Sequence, residues 1–258
     1  MTGNAARPVA LGRRRLVRAA LTGAVAVTAG LVSDSPTTST FTHVDGKGLR
    51  PRTPESALRE LAAGNARWRT FHERHPDQTR AVRRTLVSGQ HPFAGVLGCV
   101  DSRVPPELVF DQGLGDLLTV RSAGSVLDEA VLASITYGVH ELGIPLVVVL
   151  GHQSCGAVSA AVKAAEGRMR LPGHMQYLAD QIHPAIDRTL HGAARVDAAI
   201  TANVRLVHSR LTGEPALAEK VAAGELAVVA ARYELTSQRV HQIHGPQPAS
   251  PSGRRHTR

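Results

Sequence analysis

Short apolar runs alternate along the chain with longer stretches whose apolar residues recur at helical spacing. Residues 146–150 are consecutive aliphatics with no polar face, as in a parallel strand covered on both sides. Residues 93–98 are a second buried run, 116–121 and 225–232 predict further strands, and 239–243 is a candidate fifth. Between them lie the helices. Thr53-Pro54-Glu55 supplies a cap, a first-turn proline and an acid. Ala57, Leu58, Leu61, Ala62 and Trp68 then form an apolar stripe, so a helix is predicted to about His72. A second helix is expected over 78–87, stopping near Gly89, and a third over 127–142, with Gly143 at its end and Pro145 beyond. A tight turn over 151–156 leads into a helix ending near Gly167, and two or three helices fill 174–222. Strands that alternate with helices predict the α/β class with a mainly parallel sheet. Ligands collect at the carboxyl ends of such strands.

Composition narrows the class. Of 258 residues 43% are apolar, enough for a sizeable core, and at 3% aromatic that core must be built from Ala, Val and Leu. No repeat is present, and no apolar run approaches the ~18 residues of a membrane span. Two cysteines are too few for a disulfide-stapled scaffold. The formal charge of +9 would suggest nucleic acid, but it sits at the ends of the chain. Residues 1–36 hold five arginines against one aspartate, and the last seven residues add Arg254, Arg255 and Arg258. The middle is near neutral, with no aromatics interleaved among its basic residues, so no nucleic-acid partner is expected.

The amino-terminal pattern has its own reading. Arg13-Arg14-Arg15 and Arg18 precede a mild apolar run over 19–32 rich in Ala, Gly and Thr, followed by polar Ser33-Asp34-Ser35-Pro36. This resembles a twin-arginine signal peptide over 1–36. It implies export of a folded protein by the twin-arginine machinery, so a metal can be loaded beforehand. No cysteine follows the apolar run, which excludes a lipoprotein anchor. Residues 37–53 read as a flexible linker, 54–243 as the folded domain and 244–258 as a disordered basic tail, with no stable membrane span after processing.

Two polar segments follow two of the apolar runs. Cys99-Val100-Asp101-Ser102-Arg103 comes after 93–98, and Gly151-His152-Gln153-Ser154-Cys155-Gly156 after 146–150. If these strands are neighbours, Cys99, His152 and Cys155 converge. Two thiolates and one imidazole suit zinc, and three protein ligands leave a fourth tetrahedral position open for catalysis. The alternative is a disulfide between the two cysteines of an exported protein.

The combination of Cys-x-Asp-Ser-Arg with a later His-x-x-Cys resembles the β-class carbonic anhydrases, over about residues 54–243. Val104-Pro105-Pro106-Glu107, Gly113-Leu114-Gly115-Asp116-Leu117, Arg121-Ser122-Ala123-Gly124, Tyr137-Gly138-Val139 and Ala157-Val158 extend the match. The resemblance implies a parallel four-stranded sheet with an added antiparallel strand, flanked by helices. It implies one zinc per chain on Cys99, His152 and Cys155. It also implies a dyad in which Asp101 accepts a hydrogen bond from zinc-bound water while Arg103 holds the carboxylate. Carbon dioxide would be hydrated reversibly to bicarbonate, since zinc makes hydroxide available near neutral pH. The family's minimal unit is a homodimer with its amino-terminal helix on the partner. Gln90 matches a substrate-site glutamine and Tyr137 a tyrosine lining the cleft. Val104, Arg121 and Tyr137 match a bicarbonate pocket found in members whose aspartate swings onto zinc. Leu118 replaces a common phenylalanine, and Ser125 a usual asparagine, which is expected to loosen a hydrogen-bonded turn. The remaining alternatives are hydrolysis of carbonyl sulfide or carbon disulfide at the same zinc site, a non-catalytic zinc-binding or sensing protein, and a disulfide-bonded binding module.

Overall fold

The structure is a computed structural model that describes residues 50–246. The signal peptide expected over 1–36, the linker up to residue 49 and the tail from 247 lie outside the described residues.

Five strands form one sheet in the order β2-β1-β3-β4-β5. These are β1 (Ala94–Gly98), β2 (Leu117–Arg121), β3 (Leu146–His152), β4 (Ala227–Tyr233) and β5 (Val240–His244). The first four are parallel and β5 runs antiparallel to β4, as the family resemblance implied. β1, β3 and β4 are buried along their whole length, which is why their sequences lack a polar alternation.

The eight α-helices among the described residues are α1 (Pro54–Arg69), α2 (Arg80–Thr85), α3 (Pro106–Val109), α4 (Glu129–His140), α5 (Gly156–Gly167), α6 (Met175–Ile182), α7 (Gly192–Thr212) and α8 (Pro215–Ala222). None of them is long and apolar enough to cross a membrane. They split between the two faces of the sheet. Val96, Val148, Val229 and Tyr233 pack with Ala57 and Leu61 of α1 and with Val109 of α3. Leu97, Val147, Val149 and Val228 point the other way, onto Val131 and Ile135 of α4 and Val204, Val207 and Leu211 of α7. Leu97, Leu146, Leu150 and Leu211 are withdrawn from water entirely, each contributing roughly 1.5–3 kcal/mol of burial.

Side-chain caps set several boundaries. Thr53 and Ser56 form a reciprocal capping box on α1. The helix stops at Arg69, short of the expected His72, because Thr70 caps it and Phe71 turns to positive φ. Asp128 caps α4 by accepting from the Val131 N–H, so that helix starts two residues later than predicted. The second predicted helix is shorter and ends as a 3₁₀ turn at Leu86–Ser88. The departure that matters for function is in β3. Gly151 and His152 do not begin a turn; they continue the strand, paired with Arg232 and Tyr233.

Asn65 fastens the face around α1. It is buried, its Nδ2 donates to the carbonyls of Val109 and Gln238, and its Oδ1 accepts from the Val240 N–H. Gly64 beside it is required by close approach: a Cβ there would lie 1.7 Å from the Phe110 carbonyl oxygen.

Candidate metal centre

The strand order creates the site. From β1 the chain goes to β2 on one side, and from β3 it goes by way of α5–α8 to β4 on the other. The divergence leaves a crevice beyond the carboxyl ends of β1 and β3. The two strands are in register, with Gly98 opposite Leu150. Cys99 is the residue immediately after β1, and His152 is the last of β3. Ser154 then turns at φ 57°, and Cys155 takes the cap position of α5, next to that helix's free N–H groups.

Cys99, His152 and Cys155 thereby meet, all buried, with their donor atoms within 4.8 Å of one another. The sulfurs are 3.9 Å apart and both thiols are free, well beyond the ~2.05 Å of a disulfide. His152 carries the most specific signal. Its Nδ1 stands 2.9 Å from the Gln153 carbonyl oxygen and must donate to it, so Nε2 keeps the lone pair. That nitrogen is buried and has no hydrogen-bond partner. An unpaired buried acceptor is costly, and a cation between it and two thiolates removes the cost. Two sulfurs and one imidazole nitrogen are the donor set of zinc, so these residues fit that ion.

Charge is distributed accordingly. The Cys99 thiol is pushed down, first by its hydrogen bond with Cys155 and further by His152 and the Gly124 N–H. Cys155 is pushed up by the same sulfur–sulfur hydrogen bond and by burial. Asp101 sits at the open side, its Oδ2 3.9 Å from His152 Nε2. Arg103 donates Nε to Oδ1 at 2.9 Å and Nη2 to Oδ2 at 2.7 Å, and its backbone N–H also donates to Oδ1. That grip holds the Asp101 carboxyl down to about 2. The carboxylate is therefore ionised and oriented across the neutral range.

The other positions singled out in the sequence are placed differently. Gln90, between the 3₁₀ turn and β1, and Tyr137 on α4 are exposed, and among the described residues no hydrogen bond joins them to the ligands or to Asp101. Val104 is buried, and its N–H donates to the Asp101 carbonyl. Arg121 donates to the carbonyls of Cys99 and Asp101, bracing the ligand loop. Leu118 lies on β2 close to Gly138, where an added Cβ would be 2.3 Å from its Cδ2. Ser125 is itself hydrogen-bonded within its turn. It adopts φ 55°, its N–H donates to the Ser122 carbonyl, and its buried hydroxyl donates to the Leu150 carbonyl at 3.3 Å.

One contributor escaped sequence reasoning. Asn203, 3% exposed, donates Nδ2 to the Gly124 carbonyl at 2.8 Å, and the Gly124 N–H faces the Cys99 sulfur at 3.3 Å. Its signal was a polar residue within the apolar stripe Ala199, Ile200, Val204, Val207. The open groove of about 540 Å³ bordered by Leu132, Tyr177 and Arg210 contains none of the metal-site residues.

Comparison with known proteins agrees with this geometry. A family model described as carbonic anhydrase matches residues 94–240. The chain is 42% identical over 190 residues to a carbonic anhydrase of Mycolicibacterium smegmatis, covering 72% of this chain and 92% of that one. It is 40% identical over 188 residues to carbonic anhydrase 2 of Mycobacterium tuberculosis, covering 72% and 91%. Among solved structures, a tetrameric β-carbonic anhydrase of Sordaria macrospora has the same fold, with a TM-score of 0.60 at 21% identity, over 74% of this chain and 98% of that one.

Proposed function

The chain belongs to the β-class carbonic anhydrases, and on that premise we propose that it hydrates carbon dioxide reversibly to bicarbonate and a proton, with one zinc ion on Cys99, His152 and Cys155. The observation that carries the reading is the buried, unpartnered His152 Nε2, grouped with two thiols and faced by an ionised carboxylate. Zinc, when bound, supplies the Lewis acidity that makes hydroxide available near neutral pH.

The chain's own residues do the rest. Asp101 accepts a hydrogen bond from the attacking water and so aims its oxygen at the carbon of carbon dioxide. Arg103 keeps the carboxylate ionised and in one orientation, since turning Asp101 would break two charge-assisted hydrogen bonds. The His152–Gln153 hydrogen bond fixes the imidazole tautomer. Gln90 and Tyr137 are assigned to the substrate cleft on family resemblance. The acting unit is a homodimer or a dimer-based assembly. Its support is that β2 is an edge strand among the described residues, and that Val100, Leu114 and Tyr137 are exposed. Export rests on the arginine-rich pattern of residues 1–36.

The test measures zinc per chain and follows carbon dioxide hydration by stopped flow, with Asp101→Asn beside the wild type. One zinc per chain is expected in both proteins, with turnover lower by roughly a hundredfold or more in the variant. Zinc without turnover in the wild type would move the reading to carbonyl sulfide or carbon disulfide, or to a sensing role. Absence of zinc would overturn it.

A further inference from the structure

We infer that Asn203 of α7 is a positioning residue of the metal centre, acting through Gly124 to aim a backbone N–H at the Cys99 sulfur. The inference rests on the zinc reading above and extends it to a helix that supplies no ligand. Gly124 is held at both of its polar groups. Its N–H faces Cys99 Sγ at 3.3 Å, and its carbonyl accepts from Asn203 Nδ2 at 2.8 Å. The residue is in the left-handed region, at φ 69° and ψ 16°, a conformation that turns these two groups toward different partners. Space around it is closed, since a Cβ would meet Ile182 Cδ1 at 2.9 Å and the Ala157 Cβ at 3.4 Å.

Asn203 has a rigid base from which to act. Its neighbour Val204 presses on Gly151, the residue before ligand His152, so closely that a Cβ on Gly151 would lie 2.2 Å from Val204 Cγ2. Helix α7 therefore reaches the centre twice, by packing at β3 and by a hydrogen bond at the turn after β2. A neutral amide that is 3% exposed on an apolar helix face is costly to bury unless it is used, and this one donates to the Gly124 carbonyl. Hydrogen bonds to a ligand sulfur tune how strongly it binds a metal, and partners of this kind carry roughly 10–100-fold in metal affinity.

The experiment compares wild type with Asn203→Ala, Asn203→Leu, which keeps the size but loses the donor, and Ser125→Ala, which cuts a different hydrogen bond of the same turn. Zinc affinity is read by chelator competition. The cobalt(II)-loaded proteins are read by their sulfur-to-metal charge-transfer band. The wild type loaded with cadmium-113 is read by scalar coupling between the metal and the Gly124 amide proton. Expected are roughly tenfold or greater losses of zinc affinity and a displaced band in both Asn203 variants, neither change in Ser125→Ala, and a detectable coupling in the wild type. The inference is overturned if the metal-loaded wild type shows no such coupling. It is also overturned if the Asn203 variants keep wild-type affinity and band, or if Ser125→Ala matches them. A wild type that binds none of these ions overturns the zinc reading and this inference together, whereas normal wild-type binding with any of the preceding results overturns this inference alone.

Discussion

Single residues differ in how openly they announced themselves. Cys99, Asp101, Arg103, His152 and Cys155 were legible because each lies in a short polar string directly after an apolar run, and their chemistry needs them there. Asn203 was not legible, because the carbonyl it serves is 79 positions away in the chain. Gln90 and Tyr137 had only a family position to recommend them, and in the single chain both face solvent. Gly124 shows what one missing carbon allows. Gly124→Ala adds a strained φ and a Cβ at 2.9 Å from Ile182, and is expected to cost about 1–3 kcal/mol. Urea denaturation checks this by a lower midpoint with an unchanged slope; an unchanged midpoint would mean that the turn accommodates a side chain.

At the scale of elements, polar ties hold the outer helices in place. Asp111, just after α3, accepts Arg67 Nε of α1 at 2.5 Å and the backbone N–H groups of Arg74 and His75 at 3.1 Å. Burial pushes its carboxyl up, but those hydrogen bonds outweigh burial and leave it below its ordinary 3.8. The stability it contributes is thus full above pH 3.8 and is lost as the pH falls below it. His208, which packs its ring on His244 and bonds the Val228 carbonyl, is pushed below its ordinary 6.5 by burial. Here the folded state favours the neutral imidazole, as it favours the ionised Asp111, so this contribution too is full above the ordinary value, pH 6.5, and declines as the pH falls. Thermal melts should therefore weaken in two stages on acidification, and Asp111→Asn should flatten the lower stage only. A variant with an undiminished acid stage would remove Asp111 from the account. At neutral pH Asp111→Ala should cost about 1–3 kcal/mol, since the half-buried Arg67 would keep only Glu60 as a carboxylate partner and the Arg74 and His75 N–H groups would lose their acceptor.

At the scale of the molecule, the proposed assembly and the proposed export each have a direct test. If the proposed signal acts, replacing Arg13 and Arg14 with lysine should keep the protein inside the producing cell, and light scattering of the purified protein should give at least twice the chain mass. Unchanged export would overturn the twin-arginine reading, and a monomeric mass would overturn the dimer. The sequence by itself determined the elements, the α/β class and the ligand strings. Burial on one face or two leaves a local period in the chain, and a ligand must follow a strand end. Only the tertiary structure decided that β1 lies beside β3, which brings Cys99 and Cys155 to 3.9 Å across 56 positions. Only it carried β3 on through His152, and seated Asn203 under Gly124. Periodicity records how much of a segment is covered but not which segment covers it. That choice belongs to the packing of helices on both faces of the sheet, a property no single stretch of chain contains.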